Sequence, residues 1–159
     1  MSAEPPASQP PASERAGITR LAGDPPSPWE GVFGYSRTVS AGPWVLIGGT
    51  TAVDPSGCIV GTTPYEQTVE IFRKLLHELA RAGLSAADVV QTRIYVTDIS
   101  RSEEVGRVHG EVFGSVEQVE SDESGEARVP TGPVTSMVEV TGLIDPRMLV
   151  EIELVAYRP

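Results

Sequence analysis

VVQTRIYVTD, residues 89–98, is the stretch on which the fold turns. Its β-branched and aromatic residues read as a strand, and on either side lies a helix of the same kind. Upstream, Thr63-Pro64-Tyr65-Glu66 is a capping box with proline at the first helical position, where its missing N–H costs nothing. Val69, Phe72, Leu75, Leu76 and Leu79 then fall on one stripe, and Gly83 follows as a stop. Downstream, Ser100 to Glu103 reads as a second capping box, opening a helix with Val105, Val108 and Val112 on one face. Further out, GYSRTVSAGPWVLIGGT (residues 34–50) reads as two strands joined at Ala41-Gly42-Pro43, and DPSG (54–57) is a turn before the short Ile59-Val60 stretch. Two strands, 133–141 and 148–157, complete the order β-β-(β)-α-β-α-β-β. Two helices, each apolar on one side only, suit one face of a mixed sheet in an α+β domain. Strands that alternate apolar residues with Thr and Glu leave the other face to be covered, most simply by a partner subunit.

The 159 residues suffice for one domain with a real core. No run of 18 apolar residues is present to span a bilayer, and MSAEPPASQPPASER lacks the pattern of a secretory signal. The single cysteine, Cys58, makes neither an internal disulfide nor a multi-cysteine zinc site. A cytoplasmic protein with no membrane association is therefore expected. The formal net charge of −10 opposes phosphate backbones, and no basic stripe offsets it, so no nucleic-acid partner is expected. Much of that charge is local: EQVESDESGE (117–126) holds five acids and no base. It lies in an acidic loop insertion at about 115–131. Residues 1–28 carry seven of the fourteen prolines and read as a disordered or surface-strapped tail, ahead of a single domain over 29–159.

Few residues stand out chemically from pattern alone. Gly48-Gly49 is too short for a phosphate loop and reads as close backbone approach in a strand, running into Thr50. Cys58 has no evident base nearby. No histidine or cysteine falls at metal-ligand spacing with His77 or His109, so neither a metal nor another cofactor is expected. Glu151 shares a strand face with Glu153, Val155 and Tyr157, for which a solvated edge is the plain reading. In PVTSMVEV (133–140), Thr135, Met137 and Glu139 share one face that is edge, core or site wall. Glu139 is a candidate partner for Arg93 between strands.

From Trp29 to Arg158, about four fifths of the chain, these blocks together resemble the Rid (YjgF/YER057c/UK114) family. The blocks are FGYSRTV, EQT at 66–68, VVQTRIYVTDI, VHGEVFG, SMVEV and VEIELVA. The resemblance implies a chorismate-mutase-like fold, assembled as a homotrimer with clefts between subunits. It also implies hydrolysis of small imines or enamines, such as 2-aminoacrylate, to keto acids and ammonia. Family members grip the substrate carboxylate with an arginine in a Pro-Ala-Arg-Ser stretch, read here as Pro133-Val134-Thr135-Ser136, so Thr135 stands where the arginine is expected. Gly48, Gly106 and Met137 replace a serine, an asparagine and a cysteine of the family pattern. Tyr35 and Glu151 match it.

The expectation is an arginine-lacking branch acting on a small labile nitrogen compound other than the 2-aminoacrylate type. Glu151, Tyr35 and His109 are the catalytic candidates. Thr135, Met137, Arg93, Gly48, Gly49 and Thr50 are candidates for shaping the substrate pocket, Arg93 as a substitute anion grip. The rival expectation is a non-catalytic trimer that binds a small molecule or a partner protein through the proline-rich tail and acidic loop. A ribonuclease, an activity sometimes attached to the family, is disfavoured by the charge.

Overall fold

A computed structural model describes residues 17–114 and 132–159. The strands are β1 (Ile18–Leu21), β2 (Thr38–Ala41), β3 (Trp44–Thr51), β4 (Val89–Val96), β5 (Val134–Glu139) and β6 (Val150–Tyr157). The helices are α1 (Pro28–Phe33), α2 (Pro64–Arg81) and α3 (Ser102–Phe113). One mixed sheet runs in the order β1-β2-β3-β6-β4-β5, with every neighbouring pair antiparallel except β4–β5.

That order puts both long helices on one side. β3 and β4 each run antiparallel to β6, hence parallel to each other, so α2 is a crossover between parallel strands, as α3 is between β4 and β5. Crossovers of the same hand that step in the same direction across a sheet lie on the same face. There α2 and α3 pack on each other, and α2 packs on β3 and β6.

Beneath the helices, Val45 and Ile47 of β3, Ile94 and Val96 of β4, and Val150, Ile152, Leu154 and Ala156 of β6 meet Ile71, Phe72, Leu75 and Leu79 of α2 and Val105 and Val108 of α3. Each fully buried branched or aromatic side chain contributes about 1.5–3 kcal/mol relative to exposure. Gln67 is buried among them with its amide committed. Its Nε2 donates to the carbonyls of Gly61 (3.2 Å) and Arg147 (2.8 Å), and its Oε1 accepts from Leu149 N–H (2.8 Å), tying α2 to the turn that leads into β6.

The α2 capping box is formed as expected, with Thr63 and Glu66 exchanging hydrogen bonds, and Gly83 follows at positive φ. Three local expectations are corrected. Val69 is exposed and Ile71 takes its place in the core, because the sheet lies nearer the Ile71–Leu75 side of the helix. Ser100 and Glu103 form no capping box. Asp98 instead accepts from Ser100 N–H and O–H ahead of a single 3-10 turn at Ile99–Arg101, and α3 starts from that turn.

The third correction concerns Arg93, which pairs with Glu153 at 2.8 Å and not with Glu139. Glu139 accepts from Ile99 N–H at 2.8 Å. Pairing decides this: Arg93 lies opposite Glu153 on the helix-free face, whereas Glu139 lies opposite the core residue Val96.

The stretch expected as a tail contains β1, which extends the sheet beside β2, and a strap beyond it across α2. Asp24 N–H donates to Glu78 and Arg81 donates to the Ala22 carbonyl. The helix α1 was not foreseen. It is opened by a Ser27–Glu30 capping box and closed by Gly34 at φ 70°. Residues 1–16 of the expected tail, and the acidic loop at 115–131, lie outside the described residues. The helix-free face carries Arg93, Tyr95, Glu151, Glu153 and Val155. It also carries Trp44 and Tyr157, whose rings meet edge-to-face at 5.1 Å.

Candidate functional site

Two clusters gather the chemistry-bearing residues, one on each face of the sheet. The first lies where β3 departs from regular pairing. Its register against β6 shifts between Ile47, opposite Leu154, and Thr50, opposite Ile152, so Gly48 and Gly49 form a bulge opposite Glu153, one residue pair away from Glu151. The two glycines differ in what they permit. A β-carbon at Gly48 would have ordinary space, whereas one at Gly49 would overlap the Glu151 carboxylate. Gly49 is thus the gap into which Glu151 folds.

There Glu151 is half-buried, and it accepts no hydrogen bond from a described residue. Its pKa is raised above the ordinary carboxylate value, first by burial and then by the like charge of Glu153, with Arg37 acting in the opposite sense. Beside Glu151 on β6, Glu153 is held by Arg93 and, at 3.5 Å, by the Tyr95 hydroxyl. A shallow groove of about 170 Å³ opens along this face, lined by Leu46, Gly48, Gln91, Arg93, Glu153 and Val155 among others.

Arg37, which the sequence reading passed over, organises the bulge. Its Nη1 donates to the carbonyls of Gly49 (2.7 Å) and Gly48 (3.4 Å) and to Thr50 Oγ1 (3.2 Å). The guanidinium lies 5.7 Å from the centroid of the Tyr35 ring and 3.9 Å from Glu30. Glu30 in turn accepts from Gly23 and Ser27 N–H. Thr50 is buried, and its hydroxyl donates back to the Gly48 carbonyl at 2.9 Å. A second cation closes the end of β3: Lys74 of α2 donates to the carbonyls of Thr51 and Val53, both at 2.8 Å. Burial, followed by the charge of Arg37, lowers its pKa to about 8. The signal for Arg37 was present in the FGYSRTV block, as an arginine two residues from Tyr35, but only tertiary pairing aims it at the glycines.

The second cluster sits on the helix side, at the β5 edge. Thr92 of β4, Thr135 of β5 and His109 of α3 form a closed ring of contacts. The distances are Thr92 Oγ1 to Thr135 Oγ1 2.9 Å, Thr92 to His109 Nε2 3.0 Å, and Thr135 to His109 Nε2 3.1 Å. Parallel pairing sets this up by placing Thr135 directly beside Thr92. The imidazole leans on Phe113 at 4.7 Å and Phe72 at 6.0 Å, and burial lowers its pKa, so at neutral pH it is uncharged. Met137, next along this face, packs against the core.

The candidates therefore divide. Glu151, Gly48, Gly49, Thr50 and Tyr35 gather around Arg37; Thr135, His109 and Met137 lie on the opposite face; Arg93 lies with Glu153 on the helix-free face. Within one chain Glu151 and Thr135 do not meet.

This architecture has known relatives. The family model described as Endoribonuclease L-PSP matches residues 28–158. An uncharacterised protein of Streptomyces coelicolor is 37% identical over 132 residues, covering 83% of this chain and 87% of its own. The crystal structure of a Mycobacterium tuberculosis member of the YjgF/YER057c/UK114 family superimposes with a TM-score of 0.69 at 44% identity, covering 88% of this chain and 98% of that one. A Thermotoga maritima structure described as a putative endoribonuclease gives a TM-score of 0.65 at 25% identity, over 79% and 87% of the two chains. A family match over residues 28–158, which takes in β2 to β6, both long helices and the bulge, joined to the likeness to the Streptomyces and Mycobacterium proteins, leads to one conclusion: the chain belongs to the YjgF/YER057c/UK114 (Rid, endoribonuclease L-PSP) family.

Proposed function

We propose that this protein is a Rid-like enzyme that works as a homotrimer on a small imine, enamine or related labile nitrogen compound, with Glu151 as its acid–base group. The observation that carries this reading is the placement of Glu151. It is a half-buried carboxylate seated in the gap at Gly49, without a hydrogen-bonding partner among the described residues and with its pKa raised by burial and by Glu153. A carboxyl group moved toward neutral pH can give up a proton and take one back within a turnover. Protonated Glu151 donates to the imine nitrogen, and its carboxylate then accepts a proton from the water that attacks the imine carbon. The resulting carbinolamine collapses to a carbonyl compound and ammonia.

The substrate is one that does not depend on an α-carboxylate grip. Thr135 offers a neutral hydroxyl where the family resemblance expects an arginine. A neutral hydrogen bond contributes about 0.5–1.5 kcal/mol, against about 1.5–3 for one to a charged group. Arg93 is a poor substitute, because its charge is already met by Glu153 and it points away from the face that carries Thr135. The trimer is supported by the helix-free face, where Trp44, Leu46 and Tyr157 are exposed together.

The test is ammonia release. The wild type is expected to turn over 2-aminoacrylate poorly and uncharged imines better, with Thr135→Arg improving the former. Glu151→Gln should lose at least tenfold in kcat on whichever imine is hydrolysed. Robust wild-type turnover of 2-aminoacrylate would sink the substrate assignment, and an undiminished Glu151→Gln rate would sink the role of Glu151.

A further inference from the structure

We propose that Arg37 is the positioning residue of the Glu151 site: it clamps the glycine bulge that receives the carboxylate and supplies the positive charge facing it. The inference rests on the reading of Glu151 given above.

Three observations converge on Arg37. First, its Nη1 gathers three oxygens from three successive residues, the Gly48 and Gly49 carbonyls and the Thr50 hydroxyl. A bulge leaves backbone carbonyls outside the ladder, and a buried carbonyl without a donor is costly. One guanidinium nitrogen answers both. Second, the bulge it holds has the one position where the carboxylate leaves no room for a side chain, since a β-carbon at Gly49 would occupy the Glu151 oxygens. Moving Gly49 therefore moves the carboxylate. Third, Arg37 is itself fixed. Only 14% of its side chain is exposed, with the Tyr35 ring on one flank and Glu30 at 3.9 Å. Glu30 is held in place by the N–H groups of Gly23 and Ser27, so a chain of contacts runs from the α1 cap to Glu151.

The charges around Glu151 give the arrangement its electrostatic sense. Glu153 beside it on β6 raises its proton affinity and Arg37 lowers it, while burial adds to the former. Tyr95 of β4 lies directly across from it in the register. From α2, Lys74 holds the carbonyl of Thr51, at the end of that strand, and of Val53 beyond it, and feels the charge of Arg37. Arg37 thus restrains a shift that would otherwise leave the carboxyl protonated over a wider pH range. Lysine keeps the charge but lacks the planar guanidinium that lies over Tyr35 and beside Glu30, so its ammonium would meet the Gly48–Thr50 oxygens from a flexible, less firmly fixed stem.

The experiment follows Glu151 without a substrate, so it is independent of whether the proposed reaction occurs. The side-chain carboxyl carbon of Glu151 is titrated by NMR in the wild type, Arg37→Gln and Arg37→Lys, each confirmed folded, and amide hydrogen exchange is read across Gly48–Thr50. In Arg37→Gln the Glu151 midpoint is expected to move upward and the bulge amides to exchange at least tenfold faster. In Arg37→Lys the midpoint should stay near that of the wild type while the bulge amides still exchange faster. An unmoved midpoint in folded Arg37→Gln overturns the electrostatic part. If Arg37→Gln does not fold, Arg37→Lys decides the positioning part, and wild-type exchange in that variant overturns it. Should the midpoint and exchange change as stated while no imine is hydrolysed, the positioning role stands and the reaction assigned above fails.

Discussion

At the scale of single residues, the two glycines of the β3 bulge separate backbone geometry from site chemistry. Gly48→Ser is expected to leave stability within about 0.5 kcal/mol of wild type, because its β-carbon meets ordinary space. Gly49→Ala should cost about 1–3 kcal/mol through overpacking against Glu151. In a Glu151→Ser background that cost should shrink, a coupling readable from denaturant unfolding of the four proteins in the cycle. Glu151 also makes a pH statement. Its folded pKa is raised, so the charged form is penalised in the folded state, and the penalty is present above the folded pKa and relieved as pH falls. Glu151→Gln should therefore have a higher thermal midpoint than wild type at neutral pH. The gap should close below the ordinary carboxylate range, near pH 4, and a constant gap across pH would contradict the linkage.

At the scale of elements, the ring of Thr92, Thr135 and His109 joins α3 to the β4–β5 pair at the sheet edge. Because burial depresses the His109 pKa, the unfolded chain takes up a proton before the folded one as pH drops. Stability should be full above the ordinary histidine value, about 6.5, and fall below it. His109→Gln should flatten that part of the profile in a pH series of urea unfolding curves. Elements were largely legible in the sequence: the Thr63–Glu66 box, the Ala41–Pro43 turn, and β4, β5 and β6 follow from capping chemistry and β-rich runs. What was not legible is which face each residue meets. PVTSMVEV and VEIELVAY alternate alike, yet β5 pairs with β4 in parallel and β6 pairs with it antiparallel. Register alone, a tertiary quantity, puts Thr135 under the helices and Glu151 on the opposite side. The bulge at Gly48 and the aim of Arg37 were hidden for the same reason. Strand β1, only four residues long, offers too little pattern to stand out against the prolines around it.

At the scale of the whole molecule, the long helices among the described residues cover the sheet on one side only. Trp44, Leu46 and Tyr157 stand exposed on the other side, an apolar arrangement suited to a subunit interface. The wild type is expected to show three times the chain mass by light scattering, and Leu46→Arg to yield monomer by placing a charge in that surface. A monomeric wild type would refute the assembly. Among the described residues, no helix is long and apolar enough to cross a membrane.

One further consequence follows from the cation at the end of β3. Lys74 is the single lysine among twelve basic residues, and both carbonyls that hold it belong to the segment just past the bulge. Every amine-directed label, crosslinker or acylating metabolite therefore has one internal side-chain target. With its pKa near 8, that amine is partly uncharged under ordinary conditions. Its hydrogen bonds to Thr51 and Val53 hold it in place, so its labelling rate is expected to rise as this corner of the molecule opens, which makes it a built-in clock for that motion.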